Sequence, residues 1–268
     1  MNGLLAIIGG TGVDLRGEGS PLYDLRDETV ETRWGTARVT LAKLGERDIV
    51  FLHRHSPAPG THIPPHRINY RANIAALKKL GVTAILASTA VGSLRREWAP
   101  GTLVLLSQFI DATTTRDKTF FDDRAVHIDV TEPYCPRLRA LLGESAEDLN
   151  LSLHDGGTYL CTDGPRFETP AEIRLYSAWG ADVVGMTGVP EVVLAREANI
   201  SYAGVSIVTN AAAGVLPQPL TQSEVLDAMR EALPNVVQLF LAAAADYSDD
   251  PTSASRRVTA EFGSPDVC

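Results

Sequence analysis

The chain lacks the features that mark several protein classes. Its 268 residues include only three cysteines, Cys135, Cys161 and Cys268. That odd number, without metal-ligand spacing, implies no disulfide framework and no zinc site, and fits a reducing cytoplasm. Positive charge is in the minority: 24 Lys and Arg stand against 33 Asp and Glu, a net charge of −9. This argues against nucleic acid held on a basic surface but leaves room for a local cationic pocket. No apolar run is long enough to span a bilayer. The first ten residues lack a basic segment and reach Gly9-Gly10 too early for a secretion signal. There is no internal repeat and no mid-chain linker, so one domain is expected over residues 1–247. The polar stretch 248–268 is expected to be a disordered tail.

What remains is a composition, 44% hydrophobic and 21% charged, that can bury a sizeable core. Short apolar runs alternate with helical patterns. Leu4–Ile8, Thr83–Ser88, Leu103–Ile110, residues 158–161, Val183–Met186 and Tyr202–Val208 read as strands. Ile68–Leu80, Arg137–Asn150, Pro190–Asn199 and residues 221–244 read as helices. Residues 20–52 read as two or three antiparallel strands. The expectation is a single-domain α/β fold with a mixed, mainly parallel twisted sheet flanked by helices.

The segment 157–187 carries the most chemistry. It reads as strand, loop, helix, strand. Phe167 and Glu168 lie in the loop, Thr169 is placed as N-cap, Pro170 at the first helical position, and Glu172 closes a capping box. The following strand ends in Thr187, and ligands of open α/β sheets sit at strand carboxyl ends. The same segment also fits an ordinary connection whose Phe packs and whose Glu is solvated. Two turns rich in small and hydroxyl residues follow strands, Gly9-Gly10-Thr11-Gly12 and Thr89-Ala90-Val91-Gly92-Ser93. The first does not fit a dinucleotide fingerprint, because position 15 is Leu. Together with His53-Arg54-His55 they suggest an oxyanion site, Arg being a natural fork for phosphate. His62 and His66 lie in a proline-rich loop with no acidic or thiol ligand nearby, so no metal is expected.

These residues resemble a known family. Gly9–Gly12, Arg54-His55, Asn69–Ile74, Thr89–Leu94, Gln108–Asp111, Gly164–Thr169 and Met186-Thr187 through Pro190–Ala195 are similar, in order, to the trimeric purine nucleoside phosphorylases and methylthioadenosine phosphorylases. The likeness covers roughly residues 4–245. It implies attack of phosphate on C1′ of a nucleoside, releasing a purine and a sugar 1-phosphate. Phosphate is a co-substrate, with no metal or organic cofactor. It implies phosphate binding by Thr11, Arg54, His55, Thr89, Ala90 and Thr187, ribose packing on Met186, and purine stacking on Phe167. It also implies a homotrimer, or a dimer of trimers, in which His127 reaches a neighbouring sugar site; His127 reads equally as a surface loop residue.

The base pocket distinguishes the branches. The adenine-handling branch has a serine after the loop Phe and aspartates in the late strand; here those positions are Glu168, Asn210 and Ala212. Glu168 and Asn210 resemble the inosine- and guanosine-handling branch and are assigned catalytic roles with Arg54 and His55. A 6-oxopurine presents an N1–H that a carboxylate accepts, and an amide can both accept and donate at the N7 and O6 edge. By offset, Gln222 holds the position that reads the sugar 5′ substituent. The expected reaction is phosphorolysis of inosine and guanosine. 5′-Methylthioinosine or 5′-methylthioadenosine is the alternative, and a non-catalytic nucleoside-binding relative is a further one.

Overall fold

A computed structural model describes residues 3–9, 20–217 and 222–259. Its centre is β1 (Leu4–Gly9), buried from Leu5 onward. β1 lies parallel to β4 (Arg47–His53) on one side and to β5 (Val82–Ser93) on the other. β2 (Leu22–Thr32) and β3 (Gly35–Leu44) join β4 as an antiparallel meander, as expected for residues 20–52. A strand buried on both faces reads as continuous apolar sequence, and its alternation divides the side chains between two layers. Ala6 and Ile8 enter one core cluster, on the side of α1 (Tyr70–Lys79) and α4 (Glu191–Glu197). Leu5 and Ile7 enter the other, beneath α2 (Pro136–Asp148) and α5 (Gln222–Asp246).

Beyond β5 the sheet closes on itself. β9 (Ser201–Ala211) pairs in parallel with β5 and antiparallel with β6 (Leu103–Asp111). β6 pairs with β7 (Leu153–Cys161), β7 with β8 (Val183–Gly185), and β8 returns antiparallel to Gly92 and Ser93 of β5. The mixed sheet expected from sequence is present, with five of these strands forming a ring. Closure also extends β5. Thr89–Ser93 looks like a turn in sequence but continues the strand, because β9 supplies partners as far as Ser93.

This topology positions a site. β1 leaves β5 after Ile8 opposite Ala87, and β8 joins the same edge only at Gly92. Among the described residues, no strand pairing joins Thr89–Val91 to β1 or β8 on that edge. β1 runs parallel to β5 and β8 antiparallel, so both carboxyl ends point into the gap. Such a switch point is where open α/β sheets hold ligands.

Helix boundaries follow their caps. The expected helix from Ile68 starts at Tyr70, because Asn69 accepts from the Ala72 N–H at 3.0 Å. α3 (Pro170–Ala178) has the capping box read from sequence: Thr169 Oγ1 accepts from Glu172 N, and the Glu172 carboxylate accepts from Thr169 N. The helix expected over residues 221–244 is α5, Gln222–Asp246, and Thr221 lies outside the described residues. Of the polar stretch 248–268, residues 248–259 are described. Residues 247–259 pack back onto the start of β9: Asn199 bonds Thr259 through both amide ends, and Ser201 Oγ meets Ser255 Oγ at 2.8 Å. The Asn199 amide just before β9 and the buried Ser201 hydroxyl on it hold a segment too polar to announce itself as core. Ending the chain at Ser248 should cost about 2–4 kcal/mol of stability through these lost bonds. An unchanged urea midpoint would show the segment to be dispensable.

Candidate active site

A cavity of about 170 Å³ opens at the gap in the β5 edge. Its floor is cationic. Arg54 follows β4 and is fully buried. Nε and Nη2 donate to Glu191 at 2.8 and 2.7 Å, and Nη1 donates to the Ser88 carbonyl at 2.8 Å. Glu191 begins α4, is itself fully buried, and accepts a third bond from the Tyr202 hydroxyl at 2.7 Å. Burial alone weakens the hold of Arg54 on its proton; the Glu191 carboxylate more than reverses this and keeps it charged. Three of the five guanidinium N–H groups are thus committed to protein, leaving two for the cavity.

His55 lines the same wall. Its Nδ1 lies 2.9 Å from the Ile63 carbonyl, which only accepts, so Nδ1 carries the proton and Nε2 is a bare acceptor. Burial, followed by the charge of Arg54 and the stacked ring of His62, pushes its pKa down to about 4. Ala90 and Thr187 also reach the cavity. The turn at Thr187 is held by the Tyr159 phenol oxygen, which accepts from the N–H groups of Thr187 and Gly188 at 3.0 and 3.1 Å. The Thr89 hydroxyl does not join them. It faces β9 and bonds Ser206 Oγ at 2.8 Å, because continuing β5 turns alternate side chains away from the gap. Thr11 lies outside the described residues.

The opposite wall is set for a flat polar ring. Phe167 stands at the mouth, 43% exposed. Met186 lines the base beside it, packed so closely on Gly164 (φ +66°) that a Cβ there would fall 2.5 Å from its Sδ. Glu168 receives the Thr162 hydroxyl at 2.8 Å, and burial raises its pKa above the usual carboxylate range. Asn210 is oriented within β9: Oδ1 accepts from Thr209 Oγ1 at 2.8 Å, and Nδ2 donates to the Ala211 carbonyl at 2.9 Å. One lone pair and one N–H of its amide are left for a ligand. Ala212 and Val225 complete the wall. The Gln222 side chain lies outside what is described, and His127 does not line this cavity.

The arrangement offers anion contacts on one side and a stacking ring with acceptor and donor groups on the other. Residues 4–245 match the family described as the Phosphorylase superfamily. The chain belongs to that superfamily. It is 52% identical over 241 residues to a protein of Dictyoglomus turgidum named probable 6-oxopurine nucleoside phosphorylase, covering 89% of each chain. It is 48% identical over 247 residues to the 6-oxopurine nucleoside phosphorylase of Pyrococcus furiosus, covering 89% and 91%. A probable S-methyl-5'-thioinosine phosphorylase of Methanopyrus kandleri is 47% identical over 236 residues, covering 88% and 89%. Among solved structures, methylthioadenosine phosphorylase from Schistosoma mansoni in complex with adenine superposes with a TM-score of 0.87 at 32% identity, covering 96% of both chains.

Several residues of this phosphorylase site were not identified as site residues from sequence. Glu191 and Tyr202 look like a helix start and a strand residue, yet they fix Arg54. Arg116, from an irregular loop, donates to the carbonyls of Thr162, Met186 and Val189, tying the ends of β7 and β8 together. A local signal existed only for Glu191, as an acid directly after Pro190. Among the described residues, no group of three His, Cys, Asp or Glu is placed to hold a metal ion, and no helix is long and apolar enough to cross a membrane.

Glu191→Ala strands a buried guanidinium and should destabilise the fold by roughly 3–5 kcal/mol. A urea midpoint equal to wild type would contradict the buried pair. Between pH 6.5 and about 4 the unfolded chain binds a proton that folded His55 refuses, so this residue lowers stability as pH falls through that window. His55→Asn should flatten the acid loss there relative to wild type, as followed by thermal melts at stepped pH.

Proposed function

We propose that the chain is a purine nucleoside phosphorylase that prefers 6-oxopurine nucleosides, inosine and guanosine, and transfers the sugar to inorganic phosphate. One observation carries the preference: Glu168 and Asn210, from different elements, face one cavity beside Phe167. A carboxylate accepts the N1–H of hypoxanthine or guanine. The free N–H of Asn210 donates to O6 and its free lone pair accepts from N7–H as the base leaves. Adenine would bring a bare N1 against the carboxylate, a mismatch of about 1–3 kcal/mol, or roughly five- to a hundredfold in selectivity.

In this reading the transition state is cationic at the sugar. A phosphate held by the remaining Arg54 donors, the Thr187 hydroxyl and the β5 backbone at Ala90 stabilises that charge and is the nucleophile. Neutral His55 accepts a hydrogen bond from a phosphate O–H at Nε2, and the family resemblance adds Thr11 to the anion contacts. Met186 packs under the ribose. The reaction needs no cofactor, and the acidic, cysteine-poor chain fits the cytoplasm. A homotrimer would bring His127 to a neighbouring sugar site.

A second substrate, 5′-methylthioinosine, is favoured by a specific feature. Val225, from the start of α5, puts an apolar side chain on the cavity wall, and relatives at 45–48% identity are named S-methyl-5'-thioinosine phosphorylases. The base reading is the same for both substrates.

Base release should require phosphate and run at least about tenfold better, as kcat/KM, on inosine than on adenosine. Equal release without phosphate would instead mark a hydrolase. Asn210→Asp removes the donor to O6 and supplies an acceptor for a 6-amino group, so the inosine-to-adenosine ratio should fall by about tenfold or more. An unchanged ratio would remove Asn210 from base recognition.

A further inference from the structure

Glu168 forms the partition between two cavities. One holds Asn210, Met186 and Phe167. The other is a polar recess of about 210 Å³ behind the 162–168 loop, bounded by Thr114, Thr162, Arg166, Glu172 and Tyr176. A glutamate side chain has three rotatable bonds and would place its carboxylate in either cavity unless something holds it.

The holding contact comes from Thr162. Its Oγ1 donates to Glu168 Oε1 at 2.8 Å. Because a hydroxyl has a single proton, Oε2 is left without a side-chain donor among the described residues. The support is stiff. Thr162 N donates to the Gly185 carbonyl at 2.9 Å, and its own carbonyl accepts from Arg116 Nη2 at 3.1 Å. The nearest competing cation, Arg166, is occupied: its guanidinium forms a two-point pair with Glu172 at 2.9 and 2.7 Å. Arg166 therefore does not draw Glu168 into the outer recess.

We propose that Thr162 is a positioning residue whose hydroxyl holds the Glu168 carboxylate with Oε2 presented to the purine N1–H, so that 6-oxopurine selectivity depends on Thr162 as well as on Glu168. The proposal rests on the reading of Glu168 given above. It extends that reading to a residue that touches no substrate.

A pH signature follows. Glu168 must be ionised to accept N1–H. Burial raises its pKa, the Thr162 hydroxyl and then the backbone N–H of Glu168 itself lower it, Glu172 raises it and Arg166 lowers it; Asp163 and Tyr176 border the same recess. Losing the hydroxyl moves the Glu168 pKa further up, so the acid limb of kcat/KM for inosine moves to higher pH.

The test compares Thr162→Val, Thr162→Ser and Glu168→Gln over inosine and adenosine, with pH profiles in saturating phosphate. Thr162→Val should lower kcat/KM for inosine by about tenfold, the loss expected for a hydrogen bond to a charged group. It should shift the acid limb upward by about half a unit or more and leave adenosine turnover nearly unchanged. Thr162→Ser should restore both the rate and the limb. If Thr162→Val does not fold, Thr162→Ala gives the same readout. Wild-type selectivity and an unshifted limb in Thr162→Val or Ala, with selectivity lost in Glu168→Gln, would overturn the proposal while leaving the Glu168 reading intact. Selectivity retained in Glu168→Gln would overturn both.

Discussion

A buried ion pair organises the site. Arg54 and Glu191 lie fully inside the protein, 2.7 Å apart, and neither is tolerable there alone. Their pairing joins β4 to the first residue of α4, and Tyr202 extends it to β9. The end of β4 thereby meets the distant, consecutive elements α4 and β9 beneath the gap in the β5 edge. An unpaired guanidinium would have to reach solvent; the paired one can stay buried at the cavity wall with two N–H groups to spare. A fixed positive charge in a low-dielectric wall costs no reorganisation when negative charge arrives, which is the condition for strong electrostatic catalysis.

Around that pair, most polar groups at the cavity are held by other polar groups. Tyr159 fixes the Thr187 turn, Arg116 ties the ends of β7 and β8, Thr162 holds Glu168, and Thr209 holds Asn210. Glycine permits the close approaches: Gly185 and Gly188 lie against the Tyr159 ring, where a Cβ would meet its atoms within 3 Å. The result is a rigid frame for groups whose orientation decides which purine edge is accepted. The superfamily membership and the adenine-bound structural relative fit such a frame, and the identities at residues 168 and 210 distinguish the base edge proposed for this chain.

Much of this was legible in sequence. Continuous apolar runs marked β1, the start of β5, and β9, because strands buried on both faces carry no polar alternation. Thr169, Pro170 and Glu172 marked the start of α3, since capping is a local interaction among neighbouring residues. Phe167, Glu168 and Thr187 could be singled out because they follow strands, whereas Met186 and Asn210 were named through the family resemblance.

Other features depend on long-range pairing and left no local trace. Thr89–Ser93 has turn-like composition but becomes strand when β9 and β8 bond to it, and that register turns the Thr89 hydroxyl toward Ser206. The polar residues 247–259 pack because Asn199 and Ser201, at the entry to β9, offer hydrogen-bond partners. Sequence by itself determined the strands, the caps and the residue types available to the cavity, because these follow from local propensity and hydrophobic pattern. Tertiary structure alone decided that Glu191 would occupy half of Arg54 and that Thr162 would hold Glu168. A buried charge finds its partner by proximity in space, and no spacing along the chain encodes that proximity.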